Sequence, residues 1–194
     1  HLEGDELFEA TNEIMDVDLW MRHYANQAYL NNWDSYGFVQ PKNLRIYRRP
    51  TDNRFIPLFW DCDLCNFTGT LIREEEQTSR LDEIRDIPHN LRLYWGHMLD
   101  YINRSFNEDY VARWAQRYGE LTNNESYGGP SFDSIPELTR LRTEAALVAI
   151  QEAIPPVDFQ ITTTDGVQVD DDVATIRGKG WVNVRQIRFA GNQE

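Results

Sequence analysis

The sequence predicts an α+β fold: a mainly helical body around one hairpin, followed by a short β-rich segment. Three observations carry this. Apolar residues recur at three-to-four spacing over residues 5–31 and again through most of 89–155. Two alternating runs, 44–48 and 54–60, flank the turn Pro50-Thr51-Asp52-Asn53. After Pro155-Pro156 the pattern changes to short runs separated by Asp165-Gly166 and Gly178-Lys179-Gly180.

Each element has a local reason. Residues 5–31 read as helical, and Asp16 can cap the run carrying Leu19, Trp20, His23, Tyr24, Gln27 and Tyr29. Residues 32–43, rich in Asn, Gly and Pro, read as a loop. Leu44 to Arg48 and Arg54 to Trp60 form a hairpin, with Pro57 marking its second strand as an edge or bulged one. Residues 66–88 read as irregular. Three helices follow: about 89–105, then one capped by Asn107, then one beginning at Ser134 with Pro136 in its first turn. Strands are expected at 159–163, 173–177 and 182–189, with Gly178-Lys179-Gly180 as a turn. The organisation expected is thus 1–156 as one body and 157–194 as a β-segment, the start of an Ig-like or other β-domain or an appendage.

Composition narrows the function. The 194 residues carry 19 basic and 32 acidic side chains, a net charge of −13. That balance argues against nucleic acid and against an anionic membrane surface as partners. No run is long and apolar enough to span a membrane, and His1 to Ala10 lacks the apolar core of a signal peptide. Only two of the basic residues are lysines, Lys42 and Lys179.

The chemistry concentrates in 33–63. Asp34 opens the loop, Asn43 leads into the first strand, and the return strand delivers Asp61 and Asp63. A hairpin sets the start of one strand beside the end of the other, so Asn43 and Asp61 are predicted neighbours. Oxygen ligands gathered in this way suit Mg²⁺, which takes one or two carboxylates plus substrate phosphates. The order Asp, Asn, hairpin, Asp also occurs in phosphoryl transfer, where the first carboxylate orients the attacking hydroxyl and the others hold metal. A solvated loop with turn-forming Asp and Asn gives the same spacing.

Four stretches are similar to the CotH kinase family of secreted, spore-coat-type atypical kinases: Asp18-Leu19-Trp20-Met21-Arg22, Asn32-Trp33-Asp34-Ser35-Tyr36-Gly37, Pro41-Lys42-Asn43-Leu44-Arg45-Ile46-Tyr47-Arg48 and Ile56-Pro57-Leu58-Phe59-Trp60-Asp61-Cys62-Asp63. Tyr94, Phe106, Trp114 and Tyr118 resemble the family's helical part, and Pro155-Pro156 with its sequel the trailing β-segment. The resemblance implies a protein-kinase-like C-lobe, mostly helical with a catalytic-loop hairpin. It implies transfer of phosphate from ATP to a protein hydroxyl with Mg²⁺ or Mn²⁺. Asp34 matches the catalytic carboxylate. Asn43 and Asp61 match cofactor- and metal-binding positions, and Asp63 is a further metal candidate. The partner implied is a secreted or surface protein, and the location extracellular or at the cell surface.

There are departures. Asp34 and Asn43 are nine positions apart, against five in ordinary protein kinases. Trp33 precedes Asp34 where those kinases have Arg. No Gly-rich loop and no strand lysine precede Asp34, so an N-lobe is expected to be missing and the fragment inactive alone. The rival reading is a non-catalytic surface or matrix protein that keeps the fold for binding.

Cys62-Asp63-Leu64-Cys65 stays open between a reduced pair, a disulfide and half of a zinc site. His89 and His97, two turns apart on one helix, read as packed or exposed rather than as ligands. Glu74-Glu75-Glu76 reads as a solvated face, and Asp170-Asp171-Asp172 as an acidic turn that could take Ca²⁺.

Overall fold

The computed structural model describes residues 2–38, 40, 42–62, 65, 80–126, 129–164 and 175–188. Asp63, Glu74-Glu75-Glu76 and Asp170-Asp171-Asp172 lie outside the described residues. The fold is mixed helix with small strands. In chain order it runs α1 (Gly4–Ile14), α2 (Val17–Leu30), β1 (Arg45–Arg48), β2 (Phe55–Leu58), α3 (Leu81–Arg85), α4 (Pro88–Arg104), α5 (Glu108–Thr122), a 3₁₀ turn (Phe132–Ser134), α6 (Ile135–Ala153), β3 (Gln160–Ile161) and β4 (Gly178–Lys179).

The core lies between α2 and α4. Met21, Tyr24, Ala25 and Ala28 of α2 pack in one buried cluster with Tyr94, Met98 and Ile102 of α4 and Ala146 and Ile150 of α6. Asp16 caps α2 by accepting from the Leu19 amide at 3.2 Å. Asn107 caps α5 by accepting from Tyr110 N at 2.9 Å. Pro136 falls in the first turn of α6, where its missing N–H has no partner to lose.

The helical stretch expected over 5–31 is two helices, with Asp16 as the cap of the second. The break falls at Met15 and Asp16, because the Asp16 backbone N–H donates to Phe55 O of the hairpin instead of continuing a helix. The stretch expected to be irregular before α4 contains the short α3.

β1 and β2 pair antiparallel, Arg45 opposite Leu58 and Arg48 opposite Phe55. The hairpin leans on the start of α2: Trp20 Nε1 also donates to Phe55 O, at 3.0 Å, and Arg49 pairs with Asp16 at 2.8 Å. Ile46, Tyr47, Leu58, Phe59 and Trp60 of the hairpin stay exposed.

The last segment departs from expectation. Gly178-Lys179, read as a turn, is strand β4 opposite β3, and 182–188 is irregular. The reason is a non-local grip. The Arg92 guanidinium on α4 takes the carbonyls of Gly180, Trp181 and Val184, so they are not free for a ladder. Trp181 Nε1 donates to Ile154 O at the end of α6, and Val182 is buried.

Candidate functional site

The site grows from the end of α2. Asn31 takes a left-handed backbone (φ 55°), its N–H reaching Ala28 O while Asn32 N–H reaches Gln27 O. This is a Schellman turn, and Asn tolerates the left-handed position better than most residues. Arg142 of α6 adds donors to two of the helix-end carbonyls. Its fully buried guanidinium donates to Tyr29 O at 2.6 Å and to Ala28 O at 3.3 Å. Burial lowers its pKa to about 10. A cation at a helix C-terminus is also favoured by the macrodipole.

The following loop folds inward. Asn32, Asp34, Ser35, Gly37 and Phe38 are all buried, unlike an ordinary surface loop. Gly37 has φ +96° and lies so close to the Tyr24 ring that a Cβ would sit 3.1 Å from it. Tyr24 OH donates to Gly37 O at 3.1 Å.

The fold brings Asp34 and Asn43 together. Asn43 Nδ2 donates to Asp34 Oδ2 at 3.0 Å and to Asp34 O at 3.2 Å. The amide is thereby oriented, and its Oδ1 is left for another partner. Asp34 is 4 % exposed, and its Oδ1 is buried with no donor. Asn32 Oδ1 and Ser35 Oγ are likewise unpartnered. Three such atoms within four residues are costly, at roughly 1–3 kcal/mol each. The ordinary partner of such a buried group is an ordered water.

Asp61 stands at the other foot of the hairpin. Asn43 and Asp61 both have left-handed backbones, φ 53° in each, one where the chain enters β1 and one after it leaves β2. Asp61 is exposed, and its carbonyl accepts from Asn32 Nδ2 at 3.1 Å. Of the expected set, Asp34 and Asn43 are in contact, while Asp61 meets Asn32 through its carbonyl and Asp63 lies outside the described residues. The Arg45 guanidinium covers the Trp60 ring at 3.7 Å.

Cys62 and Cys65 form a disulfide, which decides among the three readings of that motif. Cys65 also pairs with Asn32 in an isolated antiparallel bridge. Among the described residues no three His, Cys, Asp or Glu side chains gather in metal-binding range. The candidate ligands include an amide, Asn43, and Asp63, outside the described residues. Their oxygens are hard donors of the kind Mg²⁺ and Mn²⁺ take.

Sequence reasoning missed Gln27, Asn32 and His23. Gln27, wholly buried, accepts from Asn32 Nδ2 at 2.8 Å and turns its Nε2 toward His23 Nε2 at 3.5 Å. Burial lowers the His23 pKa to about 4, so the ring is neutral and can accept. His97 donates Nε2–H to Asp18 at 2.8 Å and accepts from Arg185 on Nδ1, and His89 sits edge-on to Phe8, so neither belongs to the site.

No curated protein and no solved structure matches the chain. Residues 3–133 match the family described as CotH kinase protein, a stretch from α1 through the loop, hairpin and α5 to the 3₁₀ turn. Since that is well over half its length, the chain belongs to the CotH kinase family.

Proposed function

We propose that residues 1–156 form the C-lobe of a CotH-type kinase domain, carrying 157–194 as an appendage. The domain transfers phosphate from ATP to a hydroxyl of a secreted or surface protein. The observation that supports this most is the buried Asp34 carboxylate, fixed on one oxygen by Asn43 and bare on the other. A carboxylate so held can orient and deprotonate a substrate hydroxyl at its free oxygen. Asn43 and Asp61 would hold Mg²⁺ or Mn²⁺, with Asp63 in support. The cation supplies charge neutralisation on the phosphates. The exposed apolar residues of the hairpin offer a seat for a nucleotide-covering lobe. The Cys62–Cys65 disulfide suits an oxidising location outside the cytoplasm.

Lys42 lies beside Asn43 and Lys179 in β4, so neither is a strand lysine ahead of Asp34. These 194 residues alone are therefore expected to transfer little phosphate. The test uses the protein with its native flanking sequence, labelled ATP and Mg²⁺. Asp34→Asn should lower kcat by roughly 10²–10⁴ with nucleotide binding nearly unchanged. Asp61→Asn should lose Mg²⁺-dependent nucleotide binding. If the wild-type protein binds no nucleotide, the non-catalytic surface protein is the correct reading.

A further inference from the structure

Asn32 has used everything its amide can donate. One N–H goes back to Gln27 Oε1 in α2, and the other goes forward to the carbonyl of Asp61. The side chain is fully buried, and its backbone is pinned by the Schellman turn. Gln27 is fully buried too and is braced from behind by His23, whose ring packs T-shaped with Phe59, centroids 6.2 Å apart. A continuous line of polar contacts therefore runs from the inner face of α2 to the hairpin exit.

At its end stands Asp61 in a left-handed backbone, which Asp adopts more readily than most L-residues but still at a cost. Its surroundings help to fix it there. On one side that is the Asn32 amide. On the other it is the chain that follows: Cys62 and Cys65 are bonded, Cys65 N–H reaches Cys62 O at 3.5 Å, and Cys65 bridges to Asn32. Asn32 thus meets the segment on both sides of the motif, once by side chain and once by backbone.

We propose that Asn32, oriented by Gln27, is the positioning residue that sets the backbone of Asp61 and with it the reach of the Asp61 carboxylate toward the cation. This rests on Asp61 being a metal ligand. Asn32 touches neither metal nor substrate in this scheme. Its loss should raise the metal requirement more than it lowers the rate at saturating metal. Residues that orient metal ligands without binding metal typically set affinity by about 10–100-fold.

The test uses the protein with its native flanking sequence, Mn²⁺ as the probe, and two readouts. The first is Mn²⁺ affinity in the presence of ATP, with kcat at saturating Mn²⁺. The second is the ¹³C shift of the Asp61 Cα and carbonyl, which reports its left-handed φ and its accepted hydrogen bond without reference to activity. Asn32→Ala should weaken Mn²⁺ binding about 10-fold or more, leave kcat at saturating Mn²⁺ within a few-fold, and move both Asp61 shifts. Gln27→Leu, which keeps Asn32 but removes its tether, should move them the same way. Gln27→Glu, which keeps an acceptor for Asn32, should restore them, and this pair decides the matter if Asn32→Ala does not fold. Asp61 shifts unchanged in the variant that folds overturn the proposal, as does lost kcat with Mn²⁺ affinity intact. A wild-type protein that takes up no Mn²⁺ overturns the metal role of Asp61 and the proposal's second half. The shifts then still decide whether Asn32 sets the backbone.

Discussion

His23 lies just behind the site, and its burial has a measurable cost in acid. The unfolded chain binds a proton at this ring near the ordinary value of 6.5, the folded protein only near 4. Stability from the neutral ring is complete above about pH 6.5 and is lost as the pH falls toward 4, about 3 kcal/mol in all. His97 shifts the same way, because burial outweighs the pull of Asp18, and adds to the loss. Urea denaturation at about pH 7 and about pH 5 should show the fall, and His23→Gln should flatten much of it while the His97 part remains. At this scale the order of a loop Asp, an Asn and a hairpin pointed to Asn43 beside Asp61, whereas the contact the structure shows, Asn43 with Asp34, was not foreseen. Nor were Gln27 and Asn32. A Gln on a helix and an Asn after it are ordinary residues. Only the packing of α2 turns Gln27 inward, and only the hairpin supplies the carbonyl that Asn32 meets.

Among the elements, α2 carries most of the design, and α6 secures it from a distance. Arg142 reaches the last carbonyls of α2 across more than a hundred residues, while Tyr29 OH ties the same turn to Phe106 O and Thr143. Arg142→Met keeps much of the volume but no donor, leaving Tyr29 O buried and unmet. The expected loss is about 1–3 kcal/mol, read as a lower urea midpoint with an unchanged slope. The family match stops at residue 133, so this support comes from outside it. Helix boundaries set by local chemistry were legible: Asp16 and Asn107 as caps, Pro136 in a first turn. Boundaries set from afar were not. Nothing near Met15 in sequence announces that Phe55 will take the next amide, and nothing near Gly178 announces that Arg92 will hold the carbonyls after it.

For the molecule as a whole, the attachment of residues 175–188 to α4 stands out. A chain of net charge −13 docks its tail through arginines: Arg92 on three carbonyls, and Arg185 on His97 and Asp100. Gly96 makes room, since a Cβ there would lie 1.7 Å from the Arg185 guanidinium. Arg92→Ala should release this strip. Limited proteolysis should then cut within 175–188 sooner, while the urea midpoint of the helical body moves little. The α+β class was legible from periodicity alone, but the tail's seat was not, because it depends on side chains meeting backbone some ninety positions away.

The hairpin touches α2 at both ends, at Asp16 and Trp20 through Phe55 O and at Asn32 through Asp61 O. The 14 residues of α2 act as a strut about 21 Å long. Its phase matters as much as its length. One residue inserted between Trp20 and Asn32 would turn the lower grip about 100° out of step with the upper. The hairpin tip at 50–53 lies in solvent and has no such constraint. The number of residues in α2 is therefore as much a part of the site as any side chain in it, and a change there would misalign Asp61 while leaving every candidate ligand in the sequence.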